Sequence, residues 1–196
     1  MQVTIKRQHL QAVLSHAATK DVRYYLNGVL IERTASGRFY LVATDGARMA
    51  VGQFHDPECD QTGPWSFIIP SATVKSAIKG RTDTVVLKSR DDGKYELADQ
   101  VFAPVDGRFP DWRRVVTHGK LGGVASQFNF QLLADAQECV RIWRGDKPGK
   151  FAHVEQRGTD SAYCIGPCGA IFVIVSPLRT HAEMSPADLP HVAYDR

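Results

Sequence analysis

The sequence predicts an α+β protein that is built from three copies of one module. In each copy a strand is followed by a helix and then by three strands, and this order recurs at intervals of about sixty residues, as in an internal repeat. The helical segments carry one apolar stripe each, and the strand segments over residues 84–90 and 94–99 alternate apolar and polar residues. Because such a module cannot bury its sheet and its helix alone, we expect neighbouring modules to pack against each other.

The first module begins with a strand over residues 3–6 and a helix over residues 7–19. Apolar residues of this helix recur at the i, i+3, i+4, i+7 spacing of a buried stripe, namely Leu10, Val13, Leu14 and Ala17. We expect the opposite face to be exposed, with Gln8, Ala12, Ser15 and Thr19. Three strands follow, over residues 24–33, 38–44 and 47–54.

The second module follows a loop rich in Pro, Asp and Gly over residues 56–64, and its first strand is the apolar run of residues 65–70. Ser71 is the expected N-cap of a helix over residues 72–79, which Gly80 ends. The inner stripe of this helix is Val74, Ala77 and Ile78. The remaining strands are expected over residues 84–90, 94–99 and 100–106, with a hairpin turn at Asp91-Asp92-Gly93.

The third module opens after a Gly-rich linker over residues 119–123. Its first strand is expected over residues 125–130 and its helix over residues 132–144. One side of that helix is apolar and should be buried, with Leu133, Ala136, Val140 and Trp143. The three following strands are expected over residues 150–157, 161–166 and 170–177.

The composition is typical of a globular protein. The 196 residues are 43% hydrophobic, which is ample for one or two packed domains. No stretch approaches the ~18 apolar residues of a membrane span, and the N-terminal residues lack the apolar core of a signal peptide. We therefore expect a soluble protein of the cytoplasm. The net charge of +3 permits a nucleic-acid partner without requiring one.

Neither catalysis nor a metal centre is indicated by the sequence. The four cysteines, Cys59, Cys139, Cys164 and Cys168, lack the spacing of a zinc site, so we expect them to be free thiols. A disulfide between Cys164 and Cys168 is the alternative. The motifs G-x-x-x-x-G-K, H-E-x-x-H and G-x-S-x-G do not occur. Asp45-Gly46 resembles half of a metal-binding loop but lacks the further carboxylates. We expect no cofactor, no metal and no enzymatic activity.

Four phrases occur in an order that is typical of one protein family. They are VRYYLNGVL (22–30), LVATDGARMAV (41–51), DGRFPDWRRV (106–115) and AIFVIVSPLR (170–179). With these phrases the chain resembles the bacterial DNA polymerase III beta subunits, the sliding clamps that tether polymerase to DNA. In that family each domain consists of two modules. The resemblance implies a DNA clamp fold in which residues 1–117 correspond to the middle domain and residues 124–180 to the C-terminal half of the last domain.

The resemblance also implies a surface for double-stranded DNA. Clamp rings place their helices inward around the duplex and their antiparallel sheets outward, so that phosphates rather than base edges are contacted. The basic residues on or next to the three helices would then face DNA, namely Lys6, Arg7, Lys20, Lys75, Lys79, Arg141, Arg144 and Lys147. For each of them taken singly, a solvated surface charge is the alternative.

A second implied surface is a hydrophobic groove between the middle and last domains, where polymerase, clamp-loader and repair proteins dock short linear peptides. Its lining would be Arg23, Leu26, Thr44, Gly46, Met49, Pro110, Arg114, Val115, Ile174, Ser176, Pro177, Leu178 and Arg179. Three positions differ from the usual family residues, since Ala47 replaces His, Met49 replaces Leu and Ser176 replaces Met. We expect the loss of the apolar wall at Ser176 to alter peptide affinity. For Leu26 and Val115, ordinary core packing is the alternative.

The family ring contains twelve modules, and a chain of three modules needs four copies to supply them. Because the number of modules is odd, successive chains must alternate in orientation, which predicts a homotetramer with dihedral symmetry. A dimer, a trimer and an open arc are the alternatives. Residues 181–196 extend past the usual end of the family. We expect a flexible tail there, with folding back onto the groove as the alternative.

Two functions remain in competition. The first is a processivity factor that encircles duplex DNA without sequence specificity and serves the polymerase of a phage, a plasmid or another mobile element. The second is a decoy that binds the clamp-binding peptides of replication proteins without forming a ring. The sequence favours the ring, because the outer edges of the first and third modules are rich in strand rather than studded with charges.

Overall fold

The computed structural model describes residues 1–59, 61–116, 127–147, 153–157, 161–166 and 169–177. In these residues the helices are α1 (Arg7–Leu14), α2 (Ser71–Ala77) and α3 (Phe130–Arg144). The strands are β1 (Gln2–Lys6), β2 (Gly28–Arg33), β3 (Phe39–Thr44), β4 (Arg48–Phe54), β5 (Trp65–Pro70), β6 (Thr84–Ser89), β7 (Tyr95–Leu97), β8 (Gln100–Phe102), β9 (His153–Arg157), β10 (Ser161–Ile165) and β11 (Ile171–Val175). Two short 3₁₀ helices cover Tyr24–Leu26 and Trp112–Arg114.

The first two modules exchange their first strands. β1 of the first module pairs with β6 in the sheet β1-β6-β7-β8, and β5 of the second module pairs with β2 in the other sheet. Both pairings are antiparallel. Side chains of the exchanged strands, such as Ile5 and Ile69, are fully buried in one shared core. Since each module contributes a strand to the sheet of the other, the two modules form one packed unit.

The third module extends the sheet of the first module. β11 pairs antiparallel with β4, from Ile171 opposite Gly52 to Val175 opposite Arg48. The result is a seven-stranded sheet in the order β5-β2-β3-β4-β11-β10-β9. The first module therefore lies between the second and the third, and the prediction that the first module provides an outer edge is wrong. Its last strand is used by the third module, so the second module lies at the end instead.

The helices cover one face of the sheets, and shorter segments cover the other. Alternation along β4 and β11 directs Ala50 and Val173 into the core on the helix side, and Met49 and Ile174 into a smaller cluster on the opposite face. α1 lies between α2 and α3 and contacts both. On the opposite face, the segment around Trp112 packs into the smaller cluster. The molecule thus has a helical face and a sheet face with separate cores.

Trp143 packs α3 tightly against the first module. Its ring stacks on the ring of His9, with centroids 3.8 Å apart and planes 6° apart, and its carbonyl accepts a hydrogen bond from Gln8 Nε2 at 3.0 Å. Gly52 on β4 lies under the same ring, where an added Cβ would be 2.2 Å from two ring carbons. The absence of a side chain at Gly52 is therefore what allows β4 and α3 to approach this closely.

Three predictions about α1 and α2 are wrong in detail. Ser71 is the first residue of α2 rather than its N-cap, and its hydroxyl has no hydrogen-bond partner in the described part of the chain. Ala12 is fully buried although it was expected on the exposed face, because α1 is packed between two other helices. α1 also ends at Leu14, well before the expected end at Thr19.

The start of the third module differs from the prediction as well. Phe130 is the first residue of α3, whereas it was expected to end a strand over residues 125–130. Residues 127–129 belong to no strand, since no strand within the described residues lies beside them. The expected linker over residues 119–123 and the tail over residues 181–196 lie outside the described residues.

We expect Gly52→Ala to destabilise the protein by about 1–3 kcal/mol, because the added methyl group overpacks a rigid buried ring. Denaturant unfolding at a fixed protein concentration measures this change. Combining Gly52→Ala with Trp143→Leu should cost less than the sum of the two single changes, since the smaller side chain leaves room for the methyl group. Additive costs would show that Trp143 does not set the requirement for glycine.

Candidate functional site

An apolar cavity of about 170 Å³ opens on the sheet face, where β4 and β11 meet. Its floor is formed by residues of the smaller cluster, including Met49 and Ile174. Each of the two 3₁₀ helices contributes a lining residue, Leu26 and Trp112. Its lining is Arg23, Leu26, Thr44, Gly46, Arg48, Met49, Pro110, Trp112, Val115, Ile174 and Ser176. The cavity therefore depends on the pairing of the first module with the third.

The turn between β3 and β4 forms one wall of the cavity. The Thr44 hydroxyl accepts a hydrogen bond from the Gly46 N–H at 3.0 Å, and Asp45 Oδ1 accepts from the N–H groups of Ala47 and Arg48. Gly46 has a φ of +96°, a conformation that side chains rarely adopt. An added Cβ there would also lie 3.1 Å from the guanidinium of Arg23. Glycine at this position keeps the turn against the rim of the cavity.

Arg23 forms a charged part of the rim. Its guanidinium donates to Asp21 at 2.7 Å, and this hydrogen bond lowers the pKa of Asp21 to about 2. On the far wall, Ser176 N–H donates to the carbonyl of Ala47 at 2.9 Å. Two of the positions that differ from the usual family residues are therefore hydrogen-bonded to each other beside the cavity.

Arg48 links the cavity to the helices. Its guanidinium contacts Asp45 at 3.0 Å, pairs with Asp135 of α3 and donates to the carbonyl of Ser15 at 3.2 Å, just after α1. Burial acts to raise the pKa of Asp135, but hydrogen bonds from Gln131 and Arg48 lower it below its usual value. One side chain thus connects the cavity wall, the end of α1 and α3.

His16 lies beneath this arginine and is fully buried. Its Nδ1 is 2.9 Å from the Ser15 hydroxyl. Burial lowers its pKa to about 4, and the positive charge of Arg48 acts in the same direction, against the smaller opposing effects of Asp45 and Asp135. The imidazole is therefore neutral near pH 7, and Arg48 supplies the positive charge at this junction.

Nine of the thirteen residues predicted for the groove line this cavity: Arg23, Leu26, Thr44, Gly46, Met49, Pro110, Val115, Ile174 and Ser176. Arg114 and Pro177 are described but do not line it, and Leu178 and Arg179 lie outside the described residues. Leu26 is also buried in the protein, so core packing and cavity lining coincide at this residue. Val115 is 46% exposed, so core packing alone does not account for it.

Sequence reasoning missed two residues of the cavity, Arg48 and Trp112. Both lie within the phrases on which the family resemblance rests, and this location is the signal in the sequence that could have identified them. Trp112 Nε1 donates to Glu32 at 3.1 Å, and the Arg113 guanidinium lies over its ring at 4.1 Å. The other side of Trp112 borders a second cavity of about 330 Å³, which Tyr40 and Phe172 also line. Trp112 therefore separates two adjacent apolar cavities.

The eight predicted DNA-facing residues divide into two groups. Three arginines are half-buried and bound within the chain: Arg7 donates to the carbonyl of Thr82 at 2.6 Å, Arg141 pairs with Glu138, and Arg144 contacts Asp146 at 2.6 Å. The five lysines are exposed and form no ion pair with any described residue, namely Lys6, Lys20, Lys75, Lys79 and Lys147.

The described residues contain no group of three or more His, Cys, Asp and Glu side chains that could hold a metal ion. Cys59, Cys139 and Cys164 are free thiols, and Cys168 lies outside the described residues. Burial raises the pKa of Cys164 to about 11, which makes this thiol unreactive near neutral pH. None of the helices in the described ranges is long and apolar enough to cross a membrane.

Antiparallel sheets that exchange strands between modules and carry their helices on one side define a DNA clamp fold. The chain belongs to the DNA polymerase III beta subunit family, because the family described as "DNA polymerase III beta subunit, central domain" matches residues 2–111. The beta sliding clamp of Escherichia coli (strain K12) is 36% identical over 121 residues, which are 59% of this chain and 32% of that protein. The chain thus spans about a third of the length of this curated relative.

Two solved structures show the same fold over more of the chain. The DNA polymerase III subunit beta from Pseudomonas aeruginosa has a TM-score of 0.72 at 18% identity, over 92% of this chain and 66% of that chain. The Helicobacter pylori beta clamp, solved with a bound DNA ligase peptide, has a TM-score of 0.70 at 10% identity, over 91% of this chain and 66% of that chain. The predicted α+β clamp fold is confirmed.

We expect the free energy of unfolding to fall as the pH falls from about 6.5 to about 4, because His16 and His9, whose pKa values burial lowers to about 4, each bind a proton in the unfolded chain but not in the folded one over this range. His16 contributes roughly 3 kcal/mol to the free energy of unfolding above pH ~6.5, and this contribution is lost as the pH falls to about 4. Denaturant unfolding across this pH range should show a shallower dependence for His16→Gln than for the wild type. Parallel profiles would show that His16 is not the residue responsible.

Proposed function

We propose that this protein is a sliding-clamp subunit that encircles duplex DNA as part of a homo-oligomeric ring and tethers replication or repair proteins through the cavity on its sheet face. The observation that carries this function is the cavity itself, which gathers nine of the predicted groove residues on the face opposite the helices. A clamp needs these two faces apart, because DNA lies inside the ring and its partners outside. The role is non-catalytic.

The cavity suits an extended peptide with two apolar anchors. Its floor is apolar, and its polar groups lie at the rim, as in other sites where burial provides affinity and a few polar groups fix orientation. The second cavity beyond Trp112 offers a place for a second anchor. The relative from Helicobacter pylori, which has a DNA ligase peptide bound, supports a ligand of this class.

The lysines are the best candidates for contact with DNA. Lys6, Lys20, Lys75, Lys79 and Lys147 are exposed, whereas the three arginines are held by their own chain. Lysine acts as a point charge toward phosphate and carries no base-specific geometry. A loose set of lysines beside the helices fits a ring that must slide, since strong or sequence-specific contacts would oppose movement.

Ring formation is supported by a difference between the edge strands of the sheets: two of them are covered by contacts within the chain, and two are open. At β1 the N–H of Thr4 donates to Asp56 Oδ2 at 2.6 Å, and at β5 the carbonyl of Ile68 accepts from the Val105 N–H at 3.0 Å. β8 and β9 are the other two edge strands of the described sheets, and each has an exposed valine, Val101 and Val154. Open apolar edges are ready to pair with another chain.

Solution mass tests the ring. Four copies of a 21.7 kDa chain give about 87 kDa, and we expect this mass by light scattering across a dilution series. A monomer at micromolar concentration would contradict the ring and would instead favour the decoy that only binds peptides.

Retention on DNA tests encirclement separately. A ring that has threaded onto linear duplex should be trapped when the duplex is circularised, and it should then resist salt that weakens an ordinary basic protein by ~10³ or more. Cutting the circle should release it. Equal loss from circular and linear DNA in high salt would show electrostatic binding without encirclement.

Peptide binding is tested by placing a charge in the cavity. Val115→Asp should weaken binding of the DNA ligase peptide at least about tenfold, because a carboxylate at this apolar wall loses hydration when the peptide covers it. Fluorescence anisotropy with the labelled peptide, and with a scrambled peptide as a blank, measures this effect.

Val101→Asp is the matched control, since Val101 is an equally exposed valine on β8, away from the cavity. It should leave peptide affinity unchanged and lower the solution mass instead. Equal loss of peptide affinity in both variants would contradict the assignment of the cavity.

A further inference from the structure

Among the described residues, the third module shows no counterpart of a strand that both other modules possess. In the first module the outer side of β2 is covered by β5, and in the second module the outer side of β6 is covered by β1. In both cases the covering strand belongs to the other module. β9 is the corresponding strand of the third module, and it pairs with β10 alone among the described strands.

The exposure of side chains reflects this missing strand. Val29 and Val85 are the second residues of β2 and β6, and they are 0% and 4% exposed beneath the exchanged strands. Val154 is the second residue of β9 and is 57% exposed. It faces the helix side, because it lies opposite Cys164, which is part of the core there. An apolar side chain at the edge of a core is thus left without cover.

The residues directly before α3 stand in the position that the exchanged strand has in the other two modules. In the first two modules the exchanged strand runs straight into the helix, β1 into α1 and β5 into α2. Residues 127–129 stand in this position before α3 and pair with no described strand. Phe130, which begins α3, is 84% exposed. Within the described ranges, the third module therefore has a segment in the donor position that pairs with no strand, and an acceptor edge on β9 that no strand covers.

The two complete exchanges share one register. Ile69 lies two residues before α2 and pairs with Val29, and Ile5 lies two residues before α1 and pairs with Val85. In each case the residue two before the helix meets the second residue of the acceptor strand. Applied to the third module, the same register places Phe128 opposite Val154.

We propose that two copies of this chain complete each other at this point by reciprocal strand exchange, with residues 127–129 of each copy paired antiparallel to β9 of the other. Two half-domains then form one composite clamp domain about a two-fold axis. The exchange is one junction of the ring proposed above and depends on that ring for its role in encircling DNA.

The partner that covers the open edge of β9 is a second copy of this chain. Each copy carries one donor and one acceptor, so a two-fold pair uses both and covers the β9 edge of each copy. The predicted register places apolar Phe128 on apolar Val154 and sets Gln127 opposite Glu155, without any pair of like charges. Phe128 is now only partly buried against the core of its own chain. The exchange places its ring beside Val154 as well.

A disulfide across the predicted pair tests the exchange. Gln127→Cys with Glu155→Cys places two thiols on residues that are directly opposite in the predicted register, within the Cα separation that a disulfide allows. Cys59→Ser and Cys168→Ser are added to remove other reactive thiols, while the buried Cys139 and Cys164 remain. Mild oxidation should give a covalent dimer of about 43 kDa, twice 21.7 kDa, on a non-reducing denaturing gel.

The matched control moves one thiol by two residues on the same face of β9. Gln127→Cys with His153→Cys should give little dimer, because diagonal positions across a strand pair are too far apart for a disulfide. Equal cross-linking of both pairs, or a disulfide that closes within one chain, would overturn the exchange. Before oxidation, circular dichroism spectra of both variants that match the wild-type spectrum show that the fold is intact.

Failure of the exchange and failure of the ring give different results. An 87 kDa particle without cross-linking of the predicted pair would reject the exchange and leave the ring standing. A cross-linked 43 kDa dimer that never reaches 87 kDa would support the exchange and reject the closed ring. The two proposals are therefore tested independently by the same preparation.

Discussion

The antiparallel pairing of β4 with β11 is the interaction on which the other features of the molecule depend. It brings Met49 and Ile174 side by side as the floor of the cavity, and it places α3 over the first module. Only then can Trp143 stack on His9 above Gly52. Backbone hydrogen bonds supply this pairing without requiring special side chains, but the close approach of Trp143 does require the glycine. The pairing of β4 with β11 therefore joins the first and third modules, and Gly52 sets how closely α3 approaches β4.

Between the two faces lies a polar layer that makes this junction specific. Arg48 contacts Asp45 in the wall of the cavity and Asp135 on α3, and buried His16 stays neutral beside it. A partly buried arginine with two carboxylate partners is costly to leave unpaired, so the third module is held in one position relative to the turn. The same contacts join the wall of the cavity to the helices.

The sequence predicted the α+β clamp fold and most of the strands, because these follow from local periodicity and from phrases shared with one family. Nine of the thirteen predicted groove residues line one cavity, and their role in binding stays a prediction. The sequence did not predict Arg48, whose importance comes from Asp135, 87 residues away in the chain. It placed Ala12 on the surface, since a helix packed on two sides shows the same spacing as one packed on a single side. The order of modules in space was missed for a similar reason: strand pairing across modules, as between β4 and β11, leaves no local pattern.

The odd number of modules explains why the two open edges are unlike each other. Inside the chain, the last strands of the first and third modules pair with each other, and the first two modules exchange strands. Among the described strands, the two that remain open are the last strand of the second module, β8, and the incomplete edge of the third module, β9. A head-to-tail junction would place a finished edge against an edge that needs a donor strand, and it would satisfy neither. Two self-complementary junctions satisfy both, and alternating two-fold axes close into a ring only when the number of chains is even.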